Sequence, residues 1–238
     1  MAATLTPTMR LAIVLPVLDE QDRLATVLAA LAALRRRGAF VVVADGGSSD
    51  ASPDIARALA DLVIAAPRGR ARQMNAGARA ALDTTPADAL LFLHADTQLP
   101  PNADLLIAAA LAAGAAWGRF DVRIIGRSAA LGVIARAMNW RSRLTGVATG
   151  DQAIFVTRAA WQRLGGYAEL PLMEDVEFSR RARRLSRPAC IATPVQTAGR
   201  RWDEDGVLRT VLLMWRLRAA YWLGADPAAL ARRYRDVR

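Results

Sequence analysis

The chain has 238 residues, 53% of them hydrophobic, and a formal net charge of +10. That length suits one domain, or one domain with a helical appendage, and the apolar content excludes an intrinsically disordered chain. A lone Cys190 excludes an intramolecular disulfide or a cysteine metal cluster, which fits a reducing compartment.

The first apolar run, Leu11 to Leu18, is too short for a secretory signal and leads straight into Asp19 and Glu20. No stretch reaches the roughly 18 apolar residues of a spanning helix, so a cytoplasmic protein is expected. Leu11–Leu15 reads as a buried strand. From Gln21, apolar residues at Leu24, Val27, Leu28, Leu31 and Leu34 predict one helix, stopped by Gly38 after three arginines. Phe40–Ala44 is a second strand, and Ser52-Pro53 predicts an N-cap followed by proline at the first helical position. Leu62–Ala65 is a strand, Arg70–Leu82 a helix and Leu90–Leu93 a fourth strand. Apolar strands separated by helices imply a mostly parallel sheet covered on both faces. Beyond Pro100-Pro101 the pattern predicts helices over Ala103–Ala113, Leu131–Trp140 and Glu174–Leu185, with strands at Trp117–Val122 and Ile154–Val156.

Residues 207–224 form a helix with two apolar stripes. Leu208, Val211, Leu212, Trp215, Ala219 and Trp222 share one side, and Leu213, Leu217 and Tyr221 lie opposite, with Arg209, Arg216 and Arg218 between. Two readings are open: a helix packed on the domain, or an interfacial helix with headgroup-level tryptophans and snorkelling arginines. The charge is also uneven. All 32 basic residues are arginine; residues 1–116 carry 10 against 11 acids, and residues 117–238 carry 22 against 11. A GC-rich coding sequence produces such a composition. The functional alternative is a second half that faces a diphosphate, an acidic lipid surface or a nucleic acid.

Four groups bear chemistry. Asp45 ends a strand before Gly46-Gly47, where open parallel sheets bind ligands; its carboxylate either shapes a turn or accepts a hydrogen bond from a nucleobase or ribose. Asp96 also follows a strand, and with Gln98 offers oxygen ligands to a hard divalent cation. His94 is either a structural residue or a third ligand. Glu174-Asp175 opens a helix, either complementing its dipole or placing a general base for an acceptor hydroxyl. Arg200-Arg201-Trp202 is either a solvated basic patch with a packed tryptophan or a diphosphate clamp.

In order, Pro16-Val-Leu-Asp-Glu20, Asp45-Gly-Gly-Ser-Ser-Asp50, Gly69-Arg-Ala-Arg-Gln-Met-Asn-Ala-Gly77, His94-Ala-Asp-Thr97, Gly150-Asp-Gln152, Glu174-Asp175 and Arg201-Trp202 resemble family 2 glycosyltransferases. The resemblance runs from about residue 10 to 225. Within the family it is closest to a short bacterial subgroup known for neighbouring radical-SAM and selenium-related genes. It implies a glycosyltransferase-A fold, which is Rossmann-like: a mixed, mostly parallel sheet flanked by helices, here with a C-terminal amphipathic segment. Residues 1–206 would be the catalytic domain (1–100 binding nucleotide, 101–206 on the acceptor side) and 207–238 the appended segment.

The resemblance further implies a nucleotide-sugar donor, usually UDP-linked, a Mn2+ or Mg2+ ion, and inversion at the anomeric carbon. Pro16, Glu20, Asp45, Arg70, Gln73, Asp96, Asp151, Arg201 and Trp202 would lie on the donor, Asp96 on the metal, and Asp175 beside Glu174 would be the base. The family pattern is Asp-x-Asp, and His94 stands in its first position. His94-Ala-Asp-Thr-Gln98 is also similar to the Asp-Ala-Asp-x-Gln of dolichol-phosphate mannose synthases, where the glutamine binds metal, which implies the same for Gln98. The acceptor is unidentified; the Trp- and Arg-rich tail favours a lipid-linked one and peripheral membrane contact through 207–224.

Competing functions fit less of the chain. A sugar-1-phosphate nucleotidyltransferase typically holds phosphates with a lysine, and this chain has none. The arginines alternate with core residues and spell no nucleic-acid-binding motif, so no nucleic-acid partner is expected. A methyltransferase does not call for the Glu-Asp pair or the Arg-Arg-Trp. The remaining alternative is a catalytically inactive nucleotide-sugar-binding or scaffold protein.

Overall fold

The computed structural model describes residues 9–235; residues 1–8 and 236–238, which include the outer ends of the two proposed segments, lie outside it. The first half is built as expected from parallel strands and covering helices: β1 (Leu11–Val17), α1 (Gln21–Ala30), α2 (Ala32–Arg36), β2 (Phe40–Asp45), α3 (Ser52–Leu59), β3 (Leu62–Ala65), α4 (Arg70–Thr84) and β4 (Ala89–Phe92). β1 lies between β2 and β4, with Val14 opposite both Val42 and Phe92. Alternation along β1 decides the layers. Leu11, Ile13, Leu15 and Val17 face the layer containing Leu24 and Leu28 of α1. Ala12 and Val14 face Met74, Ala78 and Ala81 of α4.

The second half extends the sheet with β5 (Thr97–Gln98), α5 (Ala103–Ala112), β6 (Trp117–Ile125), α6 (Leu131–Thr145), a 3-10 turn (Gly150–Gln152), β7 (Phe155–Thr157), α7 (Arg158–Leu164), α8 (Glu174–Ala182), β8 (Ala189–Ala198), α9 (Arg200–Asp205), α10 (Val207–Trp222) and α11 (Pro227–Arg235). The eight strands run β3-β2-β1-β4-β7-β6-β8-β5. β7 joins antiparallel to both β4 and β6, while β6 and β8 pair in parallel. α6 is fixed to β6 by Asn139, whose side chain exchanges hydrogen bonds with Val122 N–H and C=O (2.8 and 3.0 Å).

Several expectations need correction. The single helix expected from Gln21 up to Gly38 breaks at Leu31, although its apolar positions stay buried on both sides of the break. Ser52 does not cap α3: its hydroxyl accepts the Glu20 N–H at 2.8 Å, and Ala51 occupies the cap position. α6 continues five residues past Trp140, to Thr145, and ends at left-handed Gly146. α8 stops at Ala182 rather than Leu185. Strand β8 and helices α7, α9 and α11 were absent from the sequence reading. In α10, Leu213, Leu217 and Tyr221 pack with Val147, Met173 and Val176, so one stripe docks on the domain. The other stripe stays outside.

Candidate active site

The carboxyl ends of β1, β2 and β4 lie side by side and carry Pro16, Glu20, Asp45, His94 and Asp96 on the strands or the loops that follow them. Asp45 ends β2 opposite Val17. Its Oδ2 accepts from Gly47 N–H (3.0 Å) and Ser48 N–H (3.1 Å), and its Oδ1 accepts from the Ser48 hydroxyl (2.5 Å). The turn reading of this motif is therefore present in the structure. The loop is stitched to its neighbour, because Asp19 accepts Ser49 N–H (2.7 Å) and Gln21 N–H donates to Asp50 (3.0 Å). Asp19 adopts φ +53° to make that contact. Gln73 is buried beneath both loops, where its amide donates to Val17 C=O (2.7 Å) and Ala44 C=O (3.0 Å). It holds the two strand ends together. Pro16, one residue earlier on β1, pairs with Ala44 in the same floor.

Across from this floor, α8 presents its first two residues. Glu174 is 5% exposed and forms an ion pair with half-exposed Arg70, the first residue of α4, at 3.7 Å. Asp175 Oδ2 accepts the Gly150 N–H at 2.9 Å, and Oδ1 accepts Val176 N–H at 2.7 Å. Burial raises the pKa of both carboxyls above the usual range. For Glu174 the charge of Asp175 adds to the rise and Arg70 opposes it; for Asp175 the two backbone donors, Arg70 and Arg141 offset part of it.

His94 leans against the same turn. A Cβ on Gly150 would fall 2.6 Å from the His94 Nε2, so only glycine allows the approach. Burial, then the charge of Arg70, lowers the His94 pKa to about 3 despite the opposing pull of Asp96, so the imidazole is neutral at physiological pH. Asp151 follows, its carboxyl raised by burial and by Asp175 and Asp96, with Thr149 and Arg141 opposing. Its Oδ1, like Nε and Nη2 of Arg141, is buried with no hydrogen-bond partner. Glu20 belongs to the same electrostatic group: burial and Asp96 raise its pKa, while Arg23 and Arg200 lower it.

The structure thus gathers Glu20, Arg70, His94, Asp96, Asp151, Glu174 and Asp175. Other predicted residues stand apart. Gln98 is exposed on β5 opposite Gln196, and among the described residues no hydrogen bond or ion pair joins it to His94 or Asp96. Trp202 is half-buried against the core layer beneath α6. The Arg201 side chain lies outside the described residues, whereas Arg200 pairs with Glu204 at 3.8 Å. A cavity of about 390 Å³ lies between Asp19, Glu20 and Arg23 on one side and Arg200 and Glu204 on the other; it borders the acidic group at Glu20 and does not cover Asp175.

Two further residues frame the site. Asn75, one turn along α4, donates to Tyr167 C=O (2.8 Å) and accepts Tyr167 N–H (2.9 Å), which clamps the loop before α8. Asn75 stands inside the Gly69–Gly77 motif, yet nothing in the sequence separates it from its neighbours. Arg141 is one of 32 arginines, and only the fold shows that it faces Asp151 and Asp175.

A family model described as glycosyl transferase family 2 matches residues 12–167. The chain belongs to glycosyl transferase family 2. That match spans the strand-end loops, the His94–Asp96 segment and the Gly150 turn, and it ends before α8. Similar solved structures cover more of this family 2 chain. S. aureus TarS 1–349 in complex with UDP aligns with a TM-score of 0.64 at 16% identity, covering 80% of this chain and 60% of that one. Mannosyltransferase PcManGT from Pyrobaculum calidifontis, with GDP-Man and Mn2+, aligns at 0.61 and 22% identity, covering 96% and 65%. Glucosyl-3-phosphoglycerate synthase from Mycobacterium tuberculosis, with Mn2+, UDP and phosphoglyceric acid, aligns at 0.60 and 17%, covering 92% and 80%. These likenesses establish the glycosyltransferase-A fold, and the chain spans about 60% of the length of the S. aureus structure. No curated protein matches the sequence.

Proposed function

We propose that this chain is an inverting glycosyltransferase that moves a sugar from a nucleotide donor, UDP-linked, to a hydroxyl acceptor, with Asp175 as the general base. The observation that carries this reading is the Asp175 carboxylate. It is partly buried, aimed by the Gly150 and Val176 N–H groups, and close enough to Arg70 and Arg141 for both charges to act on it. Each carboxylate oxygen uses one lone pair on a backbone donor and keeps another for the acceptor proton.

The step balances simply. The acceptor oxygen attacks the anomeric carbon as its proton passes to Asp175. The bond from that carbon to the diphosphate oxygen breaks with its electron pair, and the nucleoside diphosphate leaves. One displacement inverts the centre. Arg70, paired with Glu174 at 3.7 Å, would stabilise the departing charge with its guanidinium. These residues suit a divalent ion: Asp96 would offer it an oxygen and neutral His94 a nitrogen. Among the described residues no three or more His, Cys, Asp or Glu side chains are grouped so as to hold a metal ion by themselves. Such an ion would neutralise diphosphate charge.

Asp45 and Pro16 support a nucleoside position at the strand ends. We also place the chain in the bacterial subgroup named above, on the strength of its seven ordered motifs, and read 1–206 as catalytic and 207–238 as an appendage. No helix among the described residues is long and apolar enough to cross a membrane. A cytoplasmic enzyme with a lipid-linked acceptor and peripheral contact through 207–224 suits the exposed stripe of α10.

The deciding experiment compares the parent with Asp175→Asn. Transfer should be lost while UDP affinity, measured by calorimetry, stays within about threefold, because base removal acts on the transition state. Equal loss of both would make Asp175 structural.

A further inference from the structure

We propose that α6 and α10 together form a docking face for an anionic lipid bilayer. The outer side of α6 exposes Val133 (59%), Trp140 (67%) and Leu144 (65%). That of α10 exposes Leu208 (71%), Trp215 (71%) and Trp222 (58%), with Leu223 (88%) just beyond. Positions 133, 140 and 144, and 208, 212, 215, 219 and 222, each follow helical spacing along a single face. The opposite faces are committed to the domain through Ala135, Asn139 and Ser142 in α6 and Thr210 and Leu217 in α10. These tryptophans are therefore not core residues awaiting a better rotamer.

The two helices belong to one region of the surface. Val147, just past the end of α6, shares a buried cluster with Leu217 of α10. Leu131 and Val207, at their starts, pack on the same core layer. α8 and the residue that follows it tie their far ends together, since Arg183 donates to Thr145 C=O at 2.6 Å and Arg180 stacks over Trp222 at 5.2 Å.

Charge selects the occupant. Between residues 122 and 150, and again between 206 and 225, there is no acidic residue; of the eight arginines in those stretches, Arg141 faces Asp151 and Asp175 and Arg143 pairs with Asp121, which leaves six. Arg136, Arg209 and Arg216 are exposed beside the apolar stripes. Exposed tryptophans flanked by exposed arginines match an acyl boundary with headgroup phosphates above it. A second copy would bring arginine against arginine. The loop leaving α6 at Thr145 reaches Gly150 within five residues, so a chain docked this way holds its cleft close to the lipid surface. The inference rests on this surface alone and stands whether or not the transferase reading does.

Cosedimentation tests it, with vesicles of phosphatidylcholine alone and of phosphatidylcholine mixed with phosphatidylglycerol, and circular dichroism to confirm folding. The full chain should pellet with the anionic vesicles and weaken as salt rises. Arg209→Gln and Arg216→Gln should each weaken binding about fivefold. Trp140→Glu and Trp215→Glu should each lower it by about tenfold or more, and the pair should abolish it. Absence of pelleting, or equal binding to neutral vesicles, overturns the proposal. Full binding by Trp140→Glu overturns the role of α6. Sedimentation showing a dimer that Trp215→Glu dissociates would assign the face to a second copy instead.

Discussion

The imidazole of His94 rests against Gly150, and the same glycine donates its N–H to the Asp175 carboxylate at 2.9 Å. One backbone position thereby spaces a strand-end residue from the carboxylate on α8. The contact predicts that Gly150→Ala misplaces both, because a Cβ within 2.6 Å of Nε2 must move the ring or the turn. The expected loss in kcat/KM is about 10²-fold, the scale set by small displacements of reacting groups. Release of UDP from a UDP-sugar, with water as acceptor, measures it; an unchanged rate in a folded variant refutes the coupling.

The raised pKa of Asp175 sets a pH profile. The proposed base must be ionised to take the acceptor proton, so kcat/KM should fall as pH drops through its folded value. Burial puts that value above the ordinary aspartate pKa of about 3.9, and the acid limb should appear correspondingly higher. Glu174, also raised, sharpens the fall because protonating it releases Arg70. A limb at or below the ordinary value would show that Asp175 is not the base.

Much of the first half was legible because it obeys two simple periods. Strand runs at Leu11, Phe40, Leu62 and Leu90 and the helical spacing of α4 were each within a few residues of their observed bounds. What was hidden depends on distant partners. Ser52 has the chemistry of a cap, yet Glu20 takes its hydroxyl from thirty-two positions away. β8 mixes exposed and buried positions and holds Pro194 at a bulge in its pairing with β6, so no alternation marked it. In the site, Asp45, Asp96 and Glu174-Asp175 announced themselves by following strands or opening a helix. Arg141 and Asn75 did not, since an arginine or asparagine on a helix has no local signature of what it faces.

Asn75 offers a test of how the second half is held. Its two hydrogen bonds to the Tyr167 backbone anchor the loop that precedes α8. Asn75→Ala should cost about 1–3 kcal/mol, two part-buried hydrogen bonds' worth. It should also slow turnover more than it weakens UDP binding, since the floor loops stay intact. Urea unfolding together with calorimetry distinguishes this from a uniform loss.

Asp151 bears a charge that the fold disfavours. Its pKa is raised first by burial, so the neutral form is the one the folded state prefers. The group's contribution is therefore most favourable below the unfolded pKa of about 3.9 and is lost as pH rises through the higher folded value. Asp151→Asn should raise Tm at pH 7, with the difference shrinking to nothing as pH falls to about 4. A variant less stable at pH 7 would mean that the charge is needed to balance Arg141.

The proposed metal binding should separate the residues that the fold gathers from the one it leaves outside. Asp96 and His94 flank Ala95 at the end of β4, and both feel Arg70 or one another electrostatically. Gln98 lies two residues on, exposed and paired through β5 to β8. Manganese should tighten UDP binding to the parent about tenfold or more, as expected when an ion bridges carboxylate and diphosphate oxygens. Asp96→Ala should abolish that gain, His94→Ala should reduce it, and Gln98→Ala should leave it in place. Calorimetric titrations of UDP with and without manganese read all four proteins. Loss of the metal response in Gln98→Ala alone would move the ion toward β5 and make His94 a spacer for Gly150 rather than a ligand.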